Sequence, residues 1–148
     1  MKISIGCDHG GFKLKEKIKE YLTSKNIEVD DYGTFSSESV NYPNYAINVS
    51  KSVVDKKSDL GILCCGTGIG MSIVANKIDG IRAAVVGDTF SAKATKEHNN
   101  TNILCLGERV IGEGLALDIV DIWINAEFQG GRHQDRLDCI TAVEQGNI

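Results

Sequence analysis

The chain has 148 residues, 42% hydrophobic and 24% charged, with 16 Gly and one Pro. This is one domain's length with ample material for a core, which excludes two large domains and a disordered or low-complexity chain. Sixteen Lys and Arg against 20 Asp and Glu give a formal charge of -4, the wrong sign for a general polyanion binder, so no nucleic-acid partner is expected.

Short apolar runs alternate with longer helical patterns. Ile3 to Cys7 reads as a first buried strand. It is followed by an amphipathic helix with Leu14, Ile18, Tyr21 and Leu22 on one stripe and Lys13, Lys15, Glu16, Lys19 and Glu20 over much of the rest. Further strands are predicted at Ile27 to Tyr32, Leu60 to Cys64, Ile81 to Val86 and Ile103 to Leu106. Further helices are predicted at Pro43 to Val54, Ile69 to Lys77, Thr89 to Glu97, Gly112 to Glu127 and Arg132 to about Gln145. Alternation of this kind predicts a single α/β domain: a three-layer, doubly wound, Rossmann-like fold on a five-stranded parallel sheet. Ligand sites are then expected at the carboxyl ends of the strands.

The five cysteines, Cys7, Cys64, Cys65, Cys105 and Cys139, form no C-x-x-C pair, so reduced thiols are expected and no metal site is spelled. The first residues reach Asp8 too soon for the apolar core of a signal peptide, and no apolar run approaches the roughly 18 residues of a membrane span. The expectation is a cytoplasmic protein without a membrane partner.

After strand one, Cys7-Asp8-His9-Gly10-Gly11 sets an acid beside an imidazole. Asp8 is either a site residue or a helix cap, and His9 either a ligand or a turn residue. After strand three, Cys64-Cys65-Gly66-Thr67-Gly68-Ile69-Gly70 opens a helix with a glycine-rich turn, where free N–H groups and the dipole favour an anion. It is neither a Walker loop nor G-x-G-x-x-G, so no nucleotide is expected. It is not a cysteine phosphatase loop either, because Met71 stands where an Arg is needed. A thiolate at a helix N-terminus is favoured by the dipole, so Cys65 is a candidate base or nucleophile, while Cys64 should point to the opposite face. The competing reading makes both cysteines small buried hydrophobes.

Beyond strand four, a helix ends in the polar run Glu97-His98-Asn99-Asn100-Thr101-Asn102, and strand five leads to Gly107-Glu108-Arg109. In Gly130-Gly131-Arg132-His133-Gln134-Asp135-Arg136, two arginines at i and i+4 share the first turns of a helix and oppose its stability unless Asp135 or an external anion such as phosphate compensates them; the competing reading is a solvated charged turn. A thiolate base, N–H donors for an oxyanion, candidate acids and a cationic clamp suit proton abstraction beside the carbonyl of a sugar phosphate. That chemistry needs no cofactor, and none is expected.

The segments Gly6 to Gly11, Tyr42-Pro43, Cys65 to Gly70, His98 to Asn102 and Gly130 to His133 resemble the B-type ribose-5-phosphate isomerases, along the whole chain. Galactose- and allose-6-phosphate isomerases share the family, so the resemblance specifies the sugar less sharply than the fold. It implies that Cys65 shuttles a proton between C1 and C2 while the amides of Gly66, Thr67, Gly68, Ile69 and Gly70 hold the enediolate. It implies that His98 opens the furanose with help from Thr67, and that Asp8, Tyr42 and Asn99 contact sugar oxygens. His9, Arg109, Arg132 and Arg136 fall to the phosphate. Some members use a Glu elsewhere as base; this chain has the cysteine.

The resemblance further implies homodimers or dimers of dimers with the C-terminal helix packed on a partner. In the shared site, His98, Asn99 and Arg109 of one subunit are expected to meet Asp8, Cys65 and the C-terminal arginines of the other. The apolar residues Leu115, Ile119, Ile122 and Trp123 are read as interface or core. Two rival classes are a non-catalytic phosphosugar sensor, which needs no base, and a receiver-like signalling domain, which needs an Asp where Cys64 and Cys65 end strand three.

Overall fold

The computed structural model describes residues 1–147. Five parallel strands form one sheet: β1 (Lys2–Cys7), β2 (Glu28–Asp31), β3 (Leu60–Cys65), β4 (Ala83–Val85) and β5 (Ile103–Gly107). Their order is β2-β1-β3-β5-β4. The helices are α1 (Phe12–Ser24), α2 (Tyr42–Val54), α3 (Ile69–Ala75), α4 (Thr89–Asn99), α5 (Glu113–Asn125) and α6 (Arg132–Glu144). The predicted α/β architecture is therefore present, with β5 inserted between β3 and the edge strand β4. None of the described helices is long and apolar enough to cross a membrane.

Side-chain alternation along the strands sorts the core into two layers. Ile3, Ile5, Ile62, Cys64, Leu104 and Leu106 face a layer containing α1 and α5, whereas Leu63, Cys65, Ile103 and Cys105 face α2 and α3. Cys64 and Cys65 thus point to opposite faces, as expected of adjacent strand residues. Ile119 and Trp123 of α5 are fully buried in the first layer and Ile122 packs against it, so these three belong to the core, whereas Leu115 on the same helix is exposed.

Glycines bring α2 unusually close to the sheet. A Cβ on Gly6 or on Gly61 would come within 2.9 or 2.8 Å of Val49, so α2 rests directly on the backbones of β1 and β3.

Several boundaries differ from the predicted ones for local reasons. Strand β4 lacks Ile81 and Arg82, because the Arg82 N–H donates to the Asn102 side chain at 2.8 Å instead of continuing the ladder. Helix α4 runs on through His98 and Asn99 and closes with Asn100 in the left-handed region, φ 44°. A single 3-10 turn at His9–Gly11 precedes α1, a feature the hydrophobic periodicity could not register.

Candidate active site

The strand order reverses between β1 and β3, and there the two candidate loops interlock. A Cβ on Gly11 would lie 2.4 Å from the Cys64 carbonyl carbon, and one on Gly10 would lie 3.1 Å from the Gly66 nitrogen. Glycine at both positions lets the start of α1 ride against the Cys65 turn. The Asp8 N–H donates to the Cys64 carbonyl at 3.3 Å, which fixes Asp8 beside that turn.

Asp8 is buried, and its Oδ1 accepts the Gly10 N–H at 2.8 Å. It therefore caps the 3-10 turn while standing next to the cysteine. His9 Nδ1 accepts the Val40 N–H at 3.2 Å. An Nδ1 that accepts carries no proton, so the ring proton sits on Nε2, which is left as a donor.

Cys65 ends β3 with 6% of its surface exposed. The Gly68 N–H donates to its Sγ at 3.0 Å, a geometry complementary to sulfur carrying negative charge. Gly68 has φ +80°, and its absent side chain leaves room for the backbone of Cys105 and Leu106. The turn is held from β5 as well: the Glu108 N–H donates to the Cys65 carbonyl at 2.9 Å and the Arg109 N–H to the Gly66 carbonyl at 3.1 Å. Thr67 is exposed, and its Oγ1 accepts the Ile69 N–H at 3.3 Å. The Tyr42 ring lies over Gly70, where a Cβ would be 2.9 Å from the ring. The Arg109 guanidinium lies against Gly66, 3.3 Å from the corresponding point.

One chain therefore gathers Asp8, His9, Tyr42, Cys65, Gly66, Thr67, Gly68, Ile69, Gly70 and Arg109 at the carboxyl end of the sheet. His98 and Asn99 are elsewhere. Helix α4 returns antiparallel to the strands, so its last turn lies at the sheet's amino-terminal end, roughly 15 Å of helix from its start. There the Asn102 carbonyl accepts the N–H of Gly61, at the beginning of β3.

The C-terminal arginines join His98, contrary to the expected division. The His133 ring stacks on His98 with centroids 4.5 Å apart, and the Gln129 N–H donates to the Glu97 carbonyl at 3.0 Å. These contacts dock the start of α6, with exposed Arg132 and Arg136, on the last turn of α4 of the same chain. Arg109 was expected with His98 and instead accompanies Cys65, because it follows β5 directly. The correct grouping has Cys65 and Arg109 at one end, and His98, Asn99, Arg132 and Arg136 at the other.

The electrostatics differ at the two ends. Burial pushes the Cys7 thiol up to about 12, and burial likewise raises Cys64 and Cys105 well above the ordinary thiol range. These three remain neutral packing residues. His133 is held below the usual histidine range by burial and by the nearby charges of His98, Arg132 and Arg136. Two clefts of about 490 and 470 Å³ are present, one lined by Phe12, Leu14 and Ile111, the other by Arg82, Asn99 and Ile140. Neither includes Cys65.

Three features escaped the sequence reading. Fully buried Lys15 makes a two-oxygen pair with Asp31, both contacts at 2.8 Å. The imidazole stack has no linear signature. Arg82 binds carbonyls at the end of α4; only its position just before a short apolar strand marked it.

Residues 3–140 match the Ribose/Galactose Isomerase family. The chain is 51% identical to ribose-5-phosphate isomerase B of Escherichia coli over 97% of each sequence. Among solved structures, ribose-5-phosphate isomerase B of Clostridium thermocellum superposes with a TM-score of 0.98 at 51% identity, covering 100% of both chains. That of Thermotoga maritima superposes with a TM-score of 0.93, also at 51% identity, covering 95% of this chain and 97% of its own.

Proposed function

The chain belongs to the ribose/galactose isomerase family as one of its ribose-5-phosphate isomerase B type members, and on that premise we propose that it interconverts ribose 5-phosphate and ribulose 5-phosphate. The observation that carries the proposal is the Cys65 sulfur at the end of β3. It accepts an N–H from its own glycine-rich turn, at 3.0 Å from Gly68.

In the proposed reaction the Cys65 thiolate removes the C2 proton of the open-chain aldose. The C–H electron pair becomes the C1=C2 bond of an enediolate, and O1 takes up the charge. A proton passes between O1 and O2, and the thiol returns its proton to C1. The sugar is both the oxidised and the reduced partner. Backbone N–H groups from Gly66 to Gly70 hold the oxyanion. Thr67 and His98 serve ring opening, Asp8, Tyr42 and Asn99 hold hydroxyls, and His9 Nε2, Arg109, Arg132 and Arg136 hold phosphate.

Because Cys65 and His98 lie at opposite ends of one sheet, a complete site requires a second copy of the chain whose α4 and α6 meet the first copy's Cys65 turn. The homodimer, or a dimer of dimers, is thus the functional unit. Exposed Ile140 and Val143 on α6 supply apolar surface for that packing.

The test is NMR of ribose 5-phosphate, allose 6-phosphate and galactose 6-phosphate in D2O with wild type and Cys65→Ala. Ketose formation and deuterium uptake that depend on Cys65 and favour the pentose support the proposal. Preference for a hexose phosphate changes the substrate, and phosphosugar binding without exchange returns the protein to the sensor class.

A further inference from the structure

We infer that Arg82 is a positioning residue for the isomerisation: it clamps the end of α4 so that His98 is presented to the partner's sugar for ring opening. The inference rests on the proposed role of His98.

Arg82 precedes β4 and lies across the last turn of α4. Its Nε donates to the carbonyls of Asn99 at 3.0 Å and Asn100 at 3.1 Å, and its Nη2 donates to Asn100 at 2.9 Å. Its backbone is locked in turn: the Arg82 N–H donates to Asn102 Oδ1 at 2.8 Å, and its carbonyl accepts the Asn102 N–H at 3.0 Å. The guanidinium is half-buried and, among the described residues, is in no salt bridge at contact distance; Glu144 of α6 faces it from farther off. Its acceptors are the carbonyls at the negative end of the helix, directly after His98.

A second cation closes on the same turn. Lys96 Nζ donates to the Thr101 carbonyl at 3.1 Å and stands over the Trp123 ring, while Trp123 Nε1 donates to Thr101 Oγ1 at 2.9 Å. Two neighbouring cations repel each other; the nearby Glu144 carboxylate favours the charge on Arg82, while burial together with Arg82 lowers the Lys96 ammonium below its ordinary range. That arrangement is a costly way merely to end a helix, since Asn100 already adopts the left-handed closing conformation. It is an effective way to remove freedom from an exposed histidine. The planar guanidinium fixes two successive carbonyls in a rigid fork, whereas an ammonium would hold them on a flexible stem with freely rotating donors. The His133 stack then sets the plane of the His98 ring.

Positioning through His98 differs from simple helix capping in which substrates it affects. Ribose 5-phosphate must open a furanose; erythrose 4-phosphate cannot form one, because its 4-hydroxyl is esterified. The experiment measures kcat and KM of wild type, Arg82→Met and Arg82→Lys with both sugars, and repeats the pentose assay in a His98→Gln background. Arg82→Met is expected to lower kcat for the pentose about ten-fold or more, with KM within about three-fold, and to change tetrose kcat by less than about three-fold. In the His98→Gln background the same replacement is expected to cost less than about three-fold, because the group it positions is gone.

Equal losses on both sugars, an unchanged pentose kcat in a folded variant, or an undiminished loss in the His98→Gln background each overturn the inference. Should Arg82→Met not fold, Arg82→Lys carries the same comparisons. Should the wild type not use the tetrose, the His98→Gln background decides. A wild type inert on pentose and hexose phosphates overturns the isomerase proposal itself, which is a different result from a selective failure at Arg82.

Discussion

His98 on α4 and His133 on α6 stack with ring centroids 4.5 Å apart and planes within 13° of parallel. The pair joins two segments that the order of the chain keeps far apart, and it carries Arg132 and Arg136, proposed to hold phosphate, to the histidine proposed to open the ring. Stacked imidazoles beside Arg132 and Arg136 tolerate little additional positive charge. His133 is therefore expected to titrate below 6.5, its unperturbed value, as read from its Hε1 resonance. A depressed histidine binds its proton more weakly when folded, so this contribution to stability is present above pH 6.5 and is lost as pH falls through the folded value. A His133→Phe variant is expected to lose that acid dependence; a His133 midpoint above 6.5 contradicts the burial argument.

Cys65→Ala is expected to reduce isomerisation by about 10² to 10⁴-fold, the usual contribution of a positioned base. Thiol alkylation is expected at Cys65 and be slowed by ribulose 5-phosphate, while exposed Cys139 reacts at a rate the sugar does not alter. Cys7, Cys64 and Cys105 are buried with raised thiols and should stay unmodified in folded protein. Peptide mapping checks all five. Inactivation that tracks Cys139 alone would sink the thiolate mechanism.

The proposed sharing of the site between subunits has a direct consequence for mixed dimers. Cys65→Ala and His98→Asn should each be well below wild-type activity alone, yet coexpression should restore activity. In a mixed dimer one site receives both intact Cys65 and intact His98. Arg132→Ala, by contrast, removes a charge-assisted contact and is expected to raise KM by about 10- to 100-fold with a smaller change in kcat. Absence of complementation in purified mixed dimers would place Cys65 and His98 in one subunit's site.

Asp31 controls stability at the other edge of the sheet. Burial raises its carboxyl, but hydrogen bonds from Lys15, Lys19 and the Gly33 N–H outweigh that and hold it below the usual 3.8. Asp31→Asn leaves Lys15 buried with only Glu16, 3.1 Å away, as its carboxylate partner. The expected cost is about 3 kcal/mol, at the low end for breaking a buried pair, measured by urea unfolding. The sign follows from a depressed carboxylate: the stabilisation is present above pH 3.8 and is lost as pH falls through the folded value. A midpoint unchanged by Asp31→Asn would show that the pair contributes nothing net.

The sequence by itself determined the strands and helices, the parallel sheet and the end of the sheet that carries the Cys65 turn. Those properties are local: apolar runs of strand length, a 3.6-residue stripe at Leu14, Ile18 and Leu22, and a glycine-rich turn after Cys65. It also placed Cys64 and Cys65 on opposite faces, since adjacent strand residues alternate. Tertiary structure decided which of these motifs share space. Helix α4 runs back along the sheet, so His98 finishes at the end opposite Cys65. Arg109 stays with Cys65 because strand β5 ends beside that turn, and the arginines of α6 follow His133 to His98. The roles of Arg82 and Lys15 were likewise invisible along the chain, since a cation's partner is set by where backbone carbonyls and carboxylates arrive in three dimensions and not by spacing in sequence.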